Sequence, residues 1–141
     1  MNFLATVESL GGADVLGGEV RSETEFVERV EEGLPSGVVA RLMELGGLSD
    51  AEMAQIIPRR TLSHLKNTRR LSPEQSDRIA RAAGVLALAH ETFGSREKAN
   101  GWMRDANRAL DGKTPLSMLR TGSGAQLVEQ VLTRIAHGVY S

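Results

Sequence analysis

Apolar residues recur along most of the chain at the three- and four-residue spacing that places them on one face of a helix. The last segment is the clearest case, because Val128, Val131, Leu132 and Ile135 occupy positions i, i+3, i+4 and i+7. No stretch alternates apolar and polar residues between hairpin turns, as exposed strands do. The pattern therefore predicts an all-α protein.

Capping signals divide this pattern into separate helices. Ser22 with Glu25, Ser49 with Glu52 and Ser72 with Gln75 have the spacing of a capping box, in which the two side chains bond each other's backbone N–H groups. Glycine and proline mark the stops, among them Gly33, Pro58 and Gly94. The predicted helices span about residues 22–32, 35–46, 49–57, 60–67, 73–93 and 123–137. Between the last two, Ser95 caps a helix that carries Trp102 and Met103, and Thr114-Pro115 caps a short helix that contains Leu116 and Leu119.

Glycine-rich breaks indicate how these helices are grouped. Residues 1–21 contain two glycine pairs and are expected to form a flexible N-terminal arm. The Gly94-Ser95 break then divides the remainder into two small helical domains, residues 22–93 and 94–141.

Composition narrows the possible chemistry. The 141 residues include no cysteine and only three histidines, His64, His90 and His137, which are far apart. This excludes disulfides and thiolate chemistry and predicts no metal site. No apolar run is long enough for a membrane span and no secretory signal opens the chain, so a cytoplasmic protein is expected.

Charge is distributed unevenly behind a net value of −1. Residues 1–57 carry three basic and eleven acidic side chains, residues 58–81 seven and two, and residues 82–141 seven and five. The short basic block in an acidic chain is either a docking site for an anion or a chance cluster on a solvated surface.

The basic block coincides with a helix–break–helix pattern over residues 49–66. This is the form of a helix-turn-helix, whose second helix enters the major groove of DNA. Leu62 and Leu65 are expected to face the core, and the polar residues around them to face DNA, since arginine and lysine bind phosphates and arginine and asparagine also read bases. The candidate DNA-binding residues are Arg59, Arg60, Thr61, Ser63, His64, Lys66, Asn67, Arg69 and Arg70.

Residues 95–141 contain no nucleophile with a base and no phosphate loop, so no catalytic residue and no enzyme activity is predicted. His90 and His137 are interpreted as packed or surface histidines rather than catalytic ones. Trp102, the only tryptophan, is either a core residue or an anchor at an interface.

The order of motifs resembles the Xre/MbcA/ParS family of antitoxins over about residues 23–141. The first motif comprises Pro58-Arg59-Arg60-Thr61-Leu62 and Arg70-Leu71-Ser72-Pro73-Glu74-Gln75-Ser76-Asp77-Arg78. The second comprises Ala99-Asn100-Gly101-Trp102-Met103, Asn107-Arg108-Ala109-Leu110-Asp111-Gly112-Lys113-Thr114-Pro115-Leu116, Leu119-Arg120-Thr121-Gly122 and Ile135-Ala136-His137-Gly138-Val139-Tyr140. Ala106 and Asp111 depart from the family pattern, which commonly has a proline at the first position and a glycine at the second.

The resemblance implies an Xre-like helix-turn-helix and dimerisation domain followed by a toxin-binding domain. It implies an antitoxin, with no catalysis and no cofactor, that binds a RES-domain toxin acting on NAD and represses its own operon by binding operator DNA. The candidate toxin-binding residues are Trp102, Asn107, Lys113, Thr114, Arg120, His137, Val139, Tyr140 and Ser141.

A homodimer is expected because the helices over residues 23–46 carry apolar stripes that a single chain of this length does not bury alone. Occlusion of the toxin's active site is a further hypothesis. The tail at residues 138–141 is expected either to fray or to enter an NAD-binding cleft, where Tyr140 stacks in place of a ring and the terminal carboxylate meets an arginine. The alternative function is a stand-alone helix-turn-helix regulator of transcription that uses residues 95–141 for self-association only.

Overall fold

The first two helices lie where a flexible arm was expected. The computed structural model describes residues 2–65 and 69–138. In it, α1 spans Phe3–Ser9 and α2 spans Gly12–Leu16. Leu10, Leu16 and Val20 are buried in the core, so the prediction of a flexible arm over residues 1–21 is wrong for the described part of that segment. The glycines act as turns between short helices, with Gly11 at φ +107°.

The remaining elements follow the predicted order closely. They are α3 (Glu23–Glu32), α4 (Gly37–Gly46), α5 (Asp50–Ile56), α6 (Arg59–Leu65), α7 (Pro73–Phe93), α8 (Arg96–Arg104) and α9 (Gly122–Ala136). Two 3-10 turns, Arg108–Leu110 and Leu116–Arg120, lie between α8 and α9. Among the described residues, backbone pairing of the β type is limited to two isolated bridges, and the fold is all-α as predicted.

Two of the three predicted capping boxes are complete. Ser49 with Glu52 and Ser72 with Gln75 make both reciprocal bonds, which fixes the first residues of α5 and α7. At α3, the Ser22 hydroxyl accepts from the Glu25 N–H at 3.1 Å, but the Glu25 carboxylate accepts from the N–H of Arg21 instead. The cap of α3 is therefore only half of the predicted box.

The long helix α7 lies at the centre of the molecule. Its residues Ile79, Ala83 and Leu86 are fully buried, and α1, α3, α4, α8 and α9 all pack against it. One hydrophobic core continues from Leu42, before the predicted domain boundary, to Leu132, after it. The division at residue 94 thus coincides with the end of a helix but not with a gap in the core, and it stays a prediction.

The start of α9 depends on a close backbone approach. The prediction placed this start at Ser123, whereas α9 begins at Gly122 and is capped by Thr121, whose hydroxyl accepts from the Gly124 N–H at 3.0 Å. A Cβ atom on Gly124 would collide with the carbonyl oxygen of Met118. Only glycine therefore allows the second 3-10 turn to pack against the first turn of α9.

Replacing Gly124 with alanine should lower the free energy of unfolding by about 2 kcal/mol, because the backbone at Met118 must move to admit the methyl group. Chemical denaturation followed by circular dichroism measures this change. Gly101→Ala is the matched control, since Gly101 is also helical but has open space around its Cα. The control should be neutral or stabilising by up to about 1 kcal/mol, and equal losses in both variants would contradict the steric explanation.

Candidate functional site

The sharp turn between α5 and α6 forms the helix-turn-helix. Ile57 is extended and Pro58 cannot continue the ladder of α5, so the chain turns and α6 begins at Arg59. Leu65 is buried and Leu62 packs against the core, which confirms the predicted inner face of α6. The opposite face of α6 is consequently turned to solvent.

The candidate DNA-binding side chains lie mostly on that outer face. Arg59, Arg60, Ser63 and His64 are exposed, and Thr61 is half-buried. Lys66 and Asn67, which complete the predicted set on this helix, lie outside the described residues.

The segment after α6 combines exposure with a structural role. Arg69 is exposed, while Arg70 uses Nη1 to donate to the carbonyl of Gly33 at 2.8 Å. The backbone of the same segment bonds residues 34–36, through Leu71 N–H to Leu34 and Ser36 N–H to Arg69. Part of Arg70 is therefore committed to holding the helix-turn-helix against the chain that precedes α4.

Ion pairing separates the arginines of this protein into two sets. Arg21, Arg29, Arg41, Arg81 and Arg104 each have a carboxylate within 4.0 Å. Within residues 2–65 and 69–138, no carboxylate lies at that distance from Arg59, Arg60 or Arg69, which leaves their charge available to an anion.

The loop between α8 and α9 contains three of the candidate toxin-binding residues. Asn107 caps the first 3-10 turn by accepting from the Ala109 N–H at 2.9 Å, and its backbone pairs with Lys113. The hydroxyl of Thr114 accepts from the Ser117 N–H at 3.2 Å. Asn107 and Thr114 thus shape the loop, and Lys113 is the exposed member that a partner can reach.

Asp111 occupies an unusual position in this loop. Its φ is +55°, and it is the non-glycine residue of the described chain with a left-handed backbone. The loop therefore keeps its turn at the cost of strain that aspartate tolerates better than most residues.

Trp102 lies between the two interpretations given to it. Its side chain is half-buried, and its ring centroid is 5.6 Å from that of Phe93 at a tilt of 43°. One part of the indole therefore belongs to the packing between α7 and α8, and the rest is accessible to a partner.

The other candidates are at opposite ends of α9. Arg120 precedes the helix, and its Nε donates to the carbonyl of Gln55 in α5 at 3.3 Å. His137 follows the helix and is exposed. Because α9 has 15 residues, these ends are about 22 Å apart. Val139, Tyr140 and Ser141 lie outside the described residues.

Comparison with known proteins identifies both parts of this arrangement. Residues 25–84 match the model of the antitoxin Xre-like helix-turn-helix domain, and residues 88–138 match that of the antitoxin Xre/MbcA/ParS C-terminal toxin-binding domain. The antitoxin Xre of Pseudomonas putida is 36% identical over 121 residues, covering 85% of this chain and 76% of the relative. The chain belongs to the Xre/MbcA/ParS family of antitoxins.

Further similarities agree with this assignment. The antitoxin Xre of Yersinia enterocolitica is 32% identical over 122 residues, covering 84% of this chain and 82% of the relative. A chain of the M. tuberculosis MbcT-MbcA toxin-antitoxin complex has the same fold, with a TM-score of 0.55 and 24% identity over 75% of this chain and 96% of that chain. The protein is thus an antitoxin of a toxin–antitoxin system and carries a helix-turn-helix domain.

Two kinds of feature are absent from the described residues. No described helix of the antitoxin combines the length and apolar character that crossing a membrane requires. Among the same residues, no three histidine, aspartate or glutamate side chains are grouped so as to hold a metal ion.

An arginine that the sequence analysis did not single out joins the two matched regions of the antitoxin. Arg104, at the end of α8, bonds both carboxylate oxygens of Glu52 in α5, at 2.6 and 3.0 Å. The same guanidinium donates to the carbonyls of Gly46 and Gly47 at the end of α4. We call this group the Arg104 clamp, and it fixes the toxin-binding region to the first helix of the helix-turn-helix.

A second link runs beside the clamp. His90 Nε2 lies 2.8 Å from Asn100 Oδ1, and Asn100 Nδ2 donates to the carbonyl of Leu45 at 3.3 Å. His90 therefore helps to orient the amide that caps α4, in agreement with its interpretation as a packed histidine. Local sequence patterns carry no signal for these links, because the clamp joins residues 52 positions apart.

The clamp also shifts the pKa values of its two members. The hydrogen bonds from Arg104 lower the pKa of the Glu52 carboxyl from its ordinary 4.5 to about 2, and the bonds from Ser49 act in the same direction. The carboxylate in turn raises the pKa of the Arg104 guanidinium. Since the folded state favours ionised Glu52, its contribution to stability is complete above about pH 4.5 and is lost as the pH falls toward 2.

Glu52→Gln should lower the free energy of unfolding at pH 7 by about 1–2 kcal/mol, because glutamine keeps the cap of α5 but removes the charge of a partly exposed pair. The difference from the wild type should shrink as the pH falls from about 4.5 toward 2. Urea unfolding at several pH values measures it. Glu91→Gln is the control, since Glu91 is exposed and has no ion pair with a described residue. A wild-type-to-variant difference that does not change with pH would disprove the role of the charge.

Proposed function

We propose that this antitoxin neutralises a RES-domain toxin by covering its active site and represses its own operon by binding operator DNA. The observation that carries the proposal is the presence, in one chain, of a matched toxin-binding region and of a helix-turn-helix whose outer face has unpaired arginines. The antitoxin acts by binding rather than by catalysis, and it does so in the bacterial cytoplasm, where its operator lies.

The toxin-facing surface is proposed to include the exposed parts of Trp102, Lys113 and His137. The match of residues 88–138 to a toxin-binding domain supports this, as does the accessibility of the three side chains. Trp102 and His137 both lie near the carboxyl end of α7. This follows because Trp102 packs on Phe93, and because α9 runs parallel to α7, with Gly122 beside Arg81 and Thr133 beside Glu91.

The residues that follow His137 are proposed to reach into the toxin. They continue from the same end of α9, so a toxin docked on Trp102 and His137 is within reach of them. Tyr140 is an aromatic side chain suited to stacking in a site that binds the rings of NAD. Under this proposal the helical surface supplies most of the affinity, and the tail supplies the inhibition.

Co-expression with the toxin encoded next to the antitoxin gene tests this division. The full chain should restore growth and co-purify with the toxin. A chain that lacks residues 139–141 should still co-purify but restore growth poorly, because it leaves the active site open.

Thermal unfolding of the truncated chain serves as the control for folding. Full growth rescue by that chain would refute the role of the tail. Failure of the complete chain to bind any RES-domain toxin would refute the proposed partner and favour a stand-alone regulator.

DNA binding is proposed to use a homodimer. One short helix provides few phosphate contacts, whereas two copies present two recognition helices to two half-sites. An open groove of about 420 Å³ between α3 and α7 supports self-association, with the apolar residues Phe26, Val27 and Val30 along one side. Val27 is 49% exposed, and a two-fold-related copy would cover it together with the rest of this apolar side.

The double variant Arg59→Gln, Arg60→Gln should bind the antitoxin's own promoter about ten- to a hundred-fold more weakly, because it loses phosphate contacts and a base contact. Fluorescence anisotropy at fixed salt measures the affinity, and light scattering measures the dimer. Arg21→Gln is the control, since Arg21 is exposed, pairs with Glu19 and lies outside the matched helix-turn-helix region. Unchanged affinity in the double variant would exclude α6 as the DNA-reading helix, and a monomer at micromolar concentration would count against the dimer.

A further inference from the structure

Four arginines lie at or contact the turn of the helix-turn-helix. Arg59 and Arg60 follow the turn, and two others reach it from elsewhere in the fold. Arg78 of α7 donates to the carbonyl of Ile56 at 3.4 Å, and Arg120 donates to that of Gln55 at 3.3 Å. In the described part of the chain, none of the four has a carboxylate within ion-pairing distance, unlike the five paired arginines.

Arg120 is held at this place by packing. It ends the 3-10 turn Leu116–Arg120, in which Leu116 and Leu119 are 2% and 1% exposed. That turn packs directly against α5. The backbone of Arg120 is therefore fixed beside the helix-turn-helix, although its sequence position lies in the toxin-binding region.

The guanidinium of Arg120 has capacity that its single bond does not use. Only Nε donates to Gln55, and both terminal nitrogens lack a hydrogen-bond or ion-pair partner among the described residues. The side chain is exposed, whereas Arg78 is half-buried with its Nε enclosed. Arg78 therefore bonds the end of α5. Arg120 instead presents a planar pair of N–H donors to solvent, and such a pair is suited to bind a phosphate.

We propose that Arg120 belongs to the DNA-binding surface, where it contacts a backbone phosphate beside the recognition helix, and that it is not a toxin anchor. The inference rests on the proposed binding of operator DNA. It assigns to DNA a residue that the sequence pattern groups with the toxin contacts.

The test is a salt titration of DNA binding by the full-length antitoxin. Wild type, Arg120→Gln and Arg134→Gln are titrated onto the promoter duplex and onto an unrelated duplex of equal length at several salt concentrations. Arg120→Gln should weaken binding to both duplexes by the same several-fold factor, and it should reduce the slope of log K against log salt by about 1. Arg134→Gln should change neither, since Arg134 is exposed on α9 and, among the described residues, bonds only Gln130 of its own helix.

A second variant separates a phosphate contact from a structural cap. Arg120→Lys keeps the charge, so the salt slope should return toward the wild-type value. If Arg120 only capped α5, both variants would lower the free energy of unfolding and leave the slope unchanged, which would overturn the inference.

The toxin provides the remaining comparison. Co-purification of Arg120→Gln with the toxin should be unchanged. Loss of the toxin with unaltered DNA binding would show that Arg120 is a toxin anchor and would overturn the inference. If the wild type itself binds neither duplex, the proposed operator function fails as well. That result differs from a failure of the Arg120 inference alone, because it is seen with the wild type before any variant is compared.

Discussion

The architecture depends on the Arg104 clamp. One guanidinium hydrogen-bonds polar groups at both the carboxyl end of α4 and the amino end of α5, which without it would have to bond water. The last carbonyls of α4 and the first-turn glutamate of α5 both need donors, and Arg104 supplies them from a third helix. The geometry of α4 against α5 is therefore set from outside the helix-turn-helix. Since Arg104 is itself positioned by the packing of α8 on α7, the orientation of the helix-turn-helix depends on the region matched to the toxin-binding domain.

Local chemistry accounts for what the sequence predicted well. The caps at Ser49 and Ser72 are made between residues three positions apart, so their spacing is visible in the sequence and the starts of α5 and α7 were predicted correctly. The inner face of α6 follows in the same way from the spacing of Leu62 and Leu65. The candidate DNA-binding residues that are described lie largely on the exposed side because helix periodicity alone decides that.

The predictions fail where a contact joins residues distant in sequence, or where a glycine can indicate either a flexible segment or a turn between helices. Gly11 and Gly17 were interpreted as signs of a flexible segment, but burial of Leu10 and Leu16 stabilises the short helices that these glycines separate. The start of α9 differs from the prediction by one residue because Thr121, and not Ser123, caps the helix. Arg104 and Arg120 could not be paired with α5 from the sequence, since their partners lie 52 and 65 residues away. Likewise, no sequence pattern shows that the two ends of α9 lie beside different parts of the fold.

The length of α9 has a consequence for how many partners the antitoxin can hold at one time. Its amino end lies with the second 3-10 turn against α5, and its carboxyl end lies beside the end of α7, about 22 Å away. Under the proposed function, a toxin bound at the carboxyl end and DNA bound beside α5 would contact the antitoxin at points about 22 Å apart, so one chain offers a separate contact to each.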